Sequence, residues 1–394
     1  MYDFDKAIDR SNTSAVKYEE MALKFGRPDL CPLWVADMEF KAPPFMLDTI
    51  KKRADHGIFG YTKRMPAFYD AIRGWLENRH GVAVTKDAIE YGPGVVFLLN
   101  MMVRLFTKPG DKIIIQSPVY YPFKNVVEKN RRIVSDNALV QNGLKYEMDF
   151  EDLEARAKAP DCTMMILCSP HNPVGRVWTE EELVKVAAIC KANSVLLVSD
   201  EIHFDLVYKP HQHYSLAKLD STYDSHVVVC TAPSKTFNIA GLHSAYCIIK
   251  NAPMMAVYRD ELGLLDLNRS NVFSRELTQA VYEAGADYVD ELVDYLQSNF
   301  EFVKQYLSEN IPAIIPAEME ATYLLWLDCK ALGMEDAALD DLFVNKAKLA
   351  LDSGHWFGNT GSGFMRLNIA CPRSMLKEAL ESLNQAIKET RENK

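Results

Sequence analysis

Three short stretches of the chain are apolar at nearly every position instead of every second one. They are Thr163-Met164-Met165-Ile166-Leu167-Cys168, Ser194-Val195-Leu196-Leu197-Val198-Ser199 and the run over residues 226–231. Continuous runs of this length predict strands buried on both faces, the habit of parallel sheets. Residues 179–192, between the first two runs, carry a helical pattern of the length that a parallel crossover needs. Helical and strand-like stretches alternate over residues 46–284, which predicts an α/β layer architecture. The pattern then changes. Residues 288–307 put Val289, Leu292, Val293, Leu296, Phe300 and Val303 on one stripe of a single long amphipathic helix, a bridge between domains. Strands are expected again near 323–327 and 364–369. A closing helix carries Leu376, Ala379, Leu380, Leu383 and Ile387, so the C-terminal part reads as a smaller α/β domain. Residues 1–47 are expected to be irregular, with a break at Pro43-Pro44.

Composition narrows the function classes. A chain of 394 residues with 48% hydrophobic content can bury a large core and has the length of two or three domains. A net charge of -10 argues against nucleic-acid or anionic-membrane partners. No apolar run reaches membrane length, and the first residues, Met1-Tyr2-Asp3-Phe4-Asp5-Lys6, lack an apolar stretch of signal-peptide type. The eight cysteines are scattered, without a Cys-x-x-Cys pair or zinc spacing, and several lie in apolar runs. Reduced, buried thiols in a cytoplasmic protein are the expectation, and no metal is expected.

Chemistry gathers where the apolar runs end. In open parallel sheets ligands collect outside the carboxyl ends of the strands. Asn172, Asp200 and Lys235 each follow such a run and are therefore expected to converge on one crevice. Lysine normally keeps its charge in water, so the end of a buried strand is a poor place for it. Desolvation favours the neutral amine, the form that condenses with an aldehyde. Each residue also has an ordinary reading: Lys235 as a solvated turn lysine, Asp200 as a helix cap, Asn172-Pro173 as a turn. Gly92-Pro93-Gly94-Val95-Val96 leads directly into a helical run, and a helix start reached through glycine offers free N–H groups to an anion. It is neither a dinucleotide fingerprint nor a P-loop. Arg366 interrupts an apolar strand and needs a partner, which a structural ion pair could supply.

Asn172-Pro173-x-Gly175, Asp200, and Ser234-Lys235 with Gly241 resemble the fold-type I pyridoxal-phosphate (PLP) enzymes of the aminotransferase superfamily, nearly end to end. More narrowly, Trp34-Val35-Ala36-Asp37-Met38-Glu39-Phe40, Asp200-Glu201-Ile202-His203 and Ala232-Pro233-Ser234-Lys235-Thr236-Phe237-Asn238 resemble cystathionine β-lyases of the MalY/PatB type. The resemblance implies an N-terminal arm and part of the small domain (1–47), a large PLP-binding domain with a mostly parallel sheet (48–288) and a smaller C-terminal α/β domain (289–394). It implies Lys235 as Schiff-base lysine and general base, and Asp200 on the pyridine nitrogen. Asn172 and His203 would sit at the ring oxygen, Tyr120 on the ring face, and Gly94, Val95, Val96, Thr231, Ser234 and His243 around the phosphate. His243 stands where many relatives have arginine or lysine, so its charge depends on pH. Arg366, with Asn172 and Tyr120, would hold the substrate, Arg366 by its carboxylate. Tyr61 would reach the phosphate and the lysine across a homodimer interface, making a shared active site. Trp34 and Asp37 would lie near the substrate without an assigned job. The implied activity is carbon–sulfur β-elimination; the alternatives are an aminotransferase and a regulatory or interaction role on the same scaffold.

Overall fold

The computed structural model describes residues 2–392. Seven strands form the central sheet: β1 (Ile89–Gly92), β2 (Lys112–Ile115), β3 (Ile133–Asp136), β4 (Cys162–Cys168), β5 (Leu196–Asp200), β6 (Val227–Thr231) and β7 (Ala245–Ile248). Their spatial order is β1-β7-β6-β5-β4-β2-β3. The steps from β6 through β5, β4 and β2 to β3 are parallel, and β7 runs antiparallel to both its neighbours. Six strands therefore point the same way, and their carboxyl ends share one edge.

The continuous apolar runs are explained by burial on both faces. Met164, Ile166 and Cys168 of β4 pack with Val198 and Cys230 in one core, whereas Met165 and Leu167 pack with Leu197 and Val229 in the other. Helix α1 (Val95–Phe106) covers the first face with Leu98, Leu99 and Met102, and α2 (Glu180–Ala192) covers the second with Leu183, Val186 and Cys190. A reciprocal cap starts α2: Thr179 Oγ1 accepts from the Glu182 amide at 3.2 Å, and the Glu182 carboxylate accepts from the Thr179 amide at 2.8 Å.

The long helix is α3 (Ala286–Asn310), with all six of the expected stripe residues buried. It leads to a four-stranded sheet of β8 (Ile315–Pro316), β9 (Leu324–Asp328), β10 (Asp352–Ser353) and β11 (Phe364–Asn368), ordered β8-β9-β11-β10. Helix α4 (Arg373–Glu392) follows and packs against α3.

The N-terminal segment departs from the irregular form expected of it. Short helices occupy Val16–Glu19 and Met21–Phe25, and Cys31–Pro32 pairs in parallel with Leu349–Ala350. Pro44 does not break a helix; it opens Pro44–Asp55 at its first turn, where a missing N–H costs nothing. Further on, the Leu33 carbonyl accepts from the Asn368 amide at 2.9 Å and the Glu39 amide donates to Ala370 at 2.9 Å. Residues 33–39 are thereby stitched to the C-terminal sheet. Among the described residues, no helix is long and apolar enough to cross a membrane, and no cluster of His, Cys, Asp or Glu is spaced to hold a metal.

Replacing Thr179 with alanine should cost about 1 kcal/mol in urea unfolding, and replacing it with serine almost nothing.

Candidate active site

The shared strand edge opens into a cavity of about 290 Å3. Its wall takes Gly94, Val95 and Val96 from the start of α1, Tyr120 from the loop after β2, and Asn172 from the loop after β4. Asp200 ends β5 and His203 follows it, Ser234 and Lys235 follow β6, and His243 precedes β7. Gly94 has φ +125°, a conformation that disfavours any side chain, and no side chain caps α1, so its first amides stay available to the cavity.

Lys235 is half-buried, and its Nζ donates to the Ala36 carbonyl at 2.7 Å. Desolvation brings the amine down to about 8, with Asp37 and Asp200 opposing that fall and Arg366 reinforcing it. Asp200 is buried at the end of β5, where Oδ1 accepts the Ile202 amide at 3.1 Å. Burial pushes its carboxyl up to about 7, against the pull of that amide and of Lys235. Its other oxygen receives no hydrogen bond from a described residue. His203 is neutral: burial, then Lys235 and Arg366, bring it down to about 3. Its Nδ1 is buried without a partner, and its ring meets Tyr323 edge-on at 5.9 Å.

Arg366 has a partner, as a charge in an apolar strand must. Asp352, across the β10–β11 pairing, takes Nη2, the Trp34 carbonyl accepts from the same nitrogen at 2.9 Å, and Asn172 Oδ1 accepts from Nη1 at 3.1 Å. Its Nε is buried and unpaired. Arg366 thus stands behind Asn172 and is not itself part of the cavity wall. With its oxygen turned to Arg366, Asn172 keeps its Nδ2 hydrogens free of any protein acceptor among the described residues.

Two expected residues lie elsewhere. Thr231 is buried, and its hydroxyl donates to the Glu201 carbonyl at 3.0 Å. It belongs to the strand, not to the cavity, because a hydroxyl at the last sheet position is claimed by the neighbouring strand's backbone. Tyr61 is outside the cavity of its own chain: it is 95% exposed, with the Arg269 guanidinium 5.3 Å from its ring centroid.

Several residues at the site escaped sequence reasoning. Asp352 is a lone acid after Leu349-Ala350-Leu351, the counterpart of the signal that marked Arg366. Tyr323 donates from its hydroxyl to Ala36 at 3.0 Å and gave no signal among ordinary core aromatics. The segment from Trp34 to Met38 is held through five successive carbonyls. Trp34 accepts from Arg366, Val35 from Asn368, Ala36 from Lys235 and Tyr323, Asp37 from Lys17 and Asn368, and Met38 from Asn238. The Asp37 carboxylate is paired with Arg10 at 2.8 Å and with Lys17 at 3.2 Å.

A mostly parallel sheet with a lysine, an aspartate and a helix start around one strand-edge cavity defines the fold-type I PLP enzymes. Residues 30–383 match the family model for aminotransferase class I and II, and the chain belongs to that family. It is 41% identical to cystathionine beta-lyase PatB of Bacillus subtilis over 98% of this chain and all of the relative. It is 34% identical to Protein MalY of Escherichia coli over 99% of this chain and all of that one. A PLP-bound C-S lyase from Staphylococcus hominis superposes with a TM-score of 0.93 at 32% identity, covering 98% of each chain.

The raised Asp200 carboxyl carries a stability consequence. Its contribution is fully present below the unfolded value of about 4 and is lost as pH rises through about 7. Asp200→Asn should therefore raise the Tm of the ligand-free protein at pH 8 and leave it unchanged at pH 4; an equal shift at both values would refute the charge argument.

Proposed function

We propose that this protein is a PLP-dependent carbon–sulfur β-lyase, cleaving L-cystathionine or related cysteine S-conjugates to a thiol, pyruvate and ammonia. The observation that carries it is one cavity holding a lysine pushed towards neutrality and an aspartate with an undonated oxygen. The lyase activities for which PatB and the Staphylococcus hominis protein are named favour elimination over transamination.

The residues present fit PLP. Asp200 lacks a hydrogen-bond donor for its second oxygen, which a protonated pyridine nitrogen would supply. The orphaned Nδ1 of His203 and the free Nδ2 of Asn172 suit a ring oxygen. The amides of Val95 and Val96, with Ser234 and His243, suit a phosphate at the start of α1. When bound, the cofactor supplies an aldehyde that captures amines and a ring that draws electrons from the adjoining carbon.

We assign Lys235 two tasks, holding the cofactor at rest and removing the substrate α-proton once its amine is free. An amine near 8 does the second far better than one at its ordinary value. Asp200 keeps the ring nitrogen protonated. Arg366, now held by Asp352 and Asn172 behind the cavity wall, is assigned the substrate carboxylate by the family resemblance, and with Asn172 and Tyr120 would hold the breaking bonds in the orientation that elimination requires. Thr231 is left out of the phosphate contacts.

The proposal includes a homodimer with a shared site. The support is a short run of the chain with exposed apolar side chains, Ile58, Phe59, Tyr61 and Met65, together with Val96 of the cavity wall, itself partly exposed. It also includes the division at 47 and 288. That division is supported by the large sheet falling within 48–288, the four-stranded sheet falling within 289–394, and residues 33–39 bonding to the latter. A cytoplasmic setting is supported by eight unpaired cysteines, seven of them buried.

Cofactor-loaded protein given L-cystathionine without a keto acid should release pyruvate and thiol in equal amounts, and Lys235→Ala should abolish that release. No elimination, with amino acids converting the cofactor to its amine form, would replace the lyase with an aminotransferase.

Mixing Tyr61→Phe and Lys235→Ala subunits, each inactive or weak alone, should restore activity. Hybrid dimers then hold one site with its own lysine and the partner's tyrosine. Activity no greater than that of the parents would place Tyr61 outside the partner's site.

A further inference from the structure

Two contacts bridge the gap between the loop that follows β6 and the segment around Ala36. One is the hydrogen bond from Lys235 Nζ to the Ala36 carbonyl, 2.7 Å long. The other is two-pointed: the Met38 amide donates to Asn238 Oδ1 at 2.9 Å, and Asn238 Nδ2 donates to the Met38 carbonyl at 2.9 Å. The paired residues are three apart on the loop and two apart on the segment. The loop itself is tightly turned, with the Ile239 amide on the Ser234 carbonyl at 3.0 Å and the Thr236 hydroxyl on buried Asp205 at 2.8 Å. Asn238 sits at φ +54°, a left-handed conformation that asparagine tolerates better than most residues.

The two bridges differ in what turnover asks of them. The lysine's contact must break whenever Nζ leaves the carbonyl to bond the cofactor or to reach a substrate proton. The asparagine's contact has no such demand. We infer that Asn238 is a positioning residue for Lys235: its carboxamide latches the Trp34 to Met38 segment onto the lysine's loop, so that the Ala36 carbonyl and the Asp37 carboxylate stay in place while the amine is away. This rests on the PLP-lyase reading above.

The charges that act on the Lys235 amine are Asp37 and Asp200, which favour its ammonium form, and Arg366 and Lys17, which oppose it. Asp37 belongs to the latched segment; Asp200 and Arg366 do not. Releasing the latch leaves Ala36 to Tyr323 and Asp37 to Arg10, Lys17 and Asn368, so the segment's carbonyl and carboxylate loosen against the amine without leaving it, while both opposing cations remain within the fold, Lys17 still fully buried beside Glu39. The ammonium form then loses support.

Asn238→Gly removes the carboxamide without forcing a side chain into the left-handed conformation. Expected for the loaded enzyme is a kcat for L-cystathionine lowered on the order of 10- to 100-fold, as a misplaced base gives, with KM little changed. A second readout is independent of turnover. In cofactor-free protein, acetylation of Lys235 by acetic anhydride, followed across pH by peptide mass spectrometry, should show a midpoint below that of the wild type. Wild-type kcat and an unmoved midpoint would overturn the inference, as would a loss confined to KM. A wild-type enzyme that releases no pyruvate would sink the lyase reading, while the acetylation comparison would still judge the latch. If the glycine variant does not fold, Asn238→Asp keeps the acceptor for the Met38 amide, sets an oxygen against the Met38 carbonyl, and is read in the same two ways.

Discussion

A partly desolvated amine is the constraint around which this molecule is arranged. Lysine in water rests protonated and inert, and burial is the cheapest means of making it otherwise. Burial also strips away the solvent that satisfied the amine, so the protein must provide an acceptor. Here that acceptor is a backbone carbonyl, Ala36, drawn from a segment some two hundred positions away in the chain. Holding that carbonyl in place requires donors for its neighbours. The five-carbonyl arrangement, with Arg366, Asn368, Lys17, Tyr323 and Asn238 as donors, supplies them.

The same reasoning explains the traffic between the two ends of the chain. A parallel sheet can position groups only at its edge, on one side of a cavity. The opposite wall must come from elsewhere, and residues 33–39 are carried there by hydrogen bonds to strands formed near the C-terminus. The N-terminal helices and the buried Lys17 ion pairs are therefore part of the site's foundation, though none of them lines the cavity.

How much of this was legible in the residues follows from what each signal depends on. The doubly buried strands and the long helix were plain because their periodicity is local, and Lys235, Asp200 and Asn172 were plain because strand ends in parallel sheets face one way. The short N-terminal helices were missed because four- and five-residue helices are too short to show a period. Thr231 was placed at the end of its strand, as found, and its phosphate role came only from the family resemblance, whereas its hydroxyl reaches the Glu201 carbonyl. Asp352 and Tyr323 were missed because their importance lies in partners far along the chain. The glycine-rich entry to α1 was weak by itself and became informative only when Gly94 was seen at φ +125° beside the cavity.

Asn172 offers donors on one side and an acceptor on the other, and the acceptor is taken by Arg366. A single amide is thus shared between the place where a substrate carboxylate would arrive and the place where the ring would sit. Any anion that draws on the guanidinium alters the hold on that amide, and any ring that takes the amide's hydrogens alters the guanidinium in return. Thermodynamic linkage makes such effects equal in both directions. Were a carboxylate and a ring to meet there, their affinities would be two views of one coupled equilibrium.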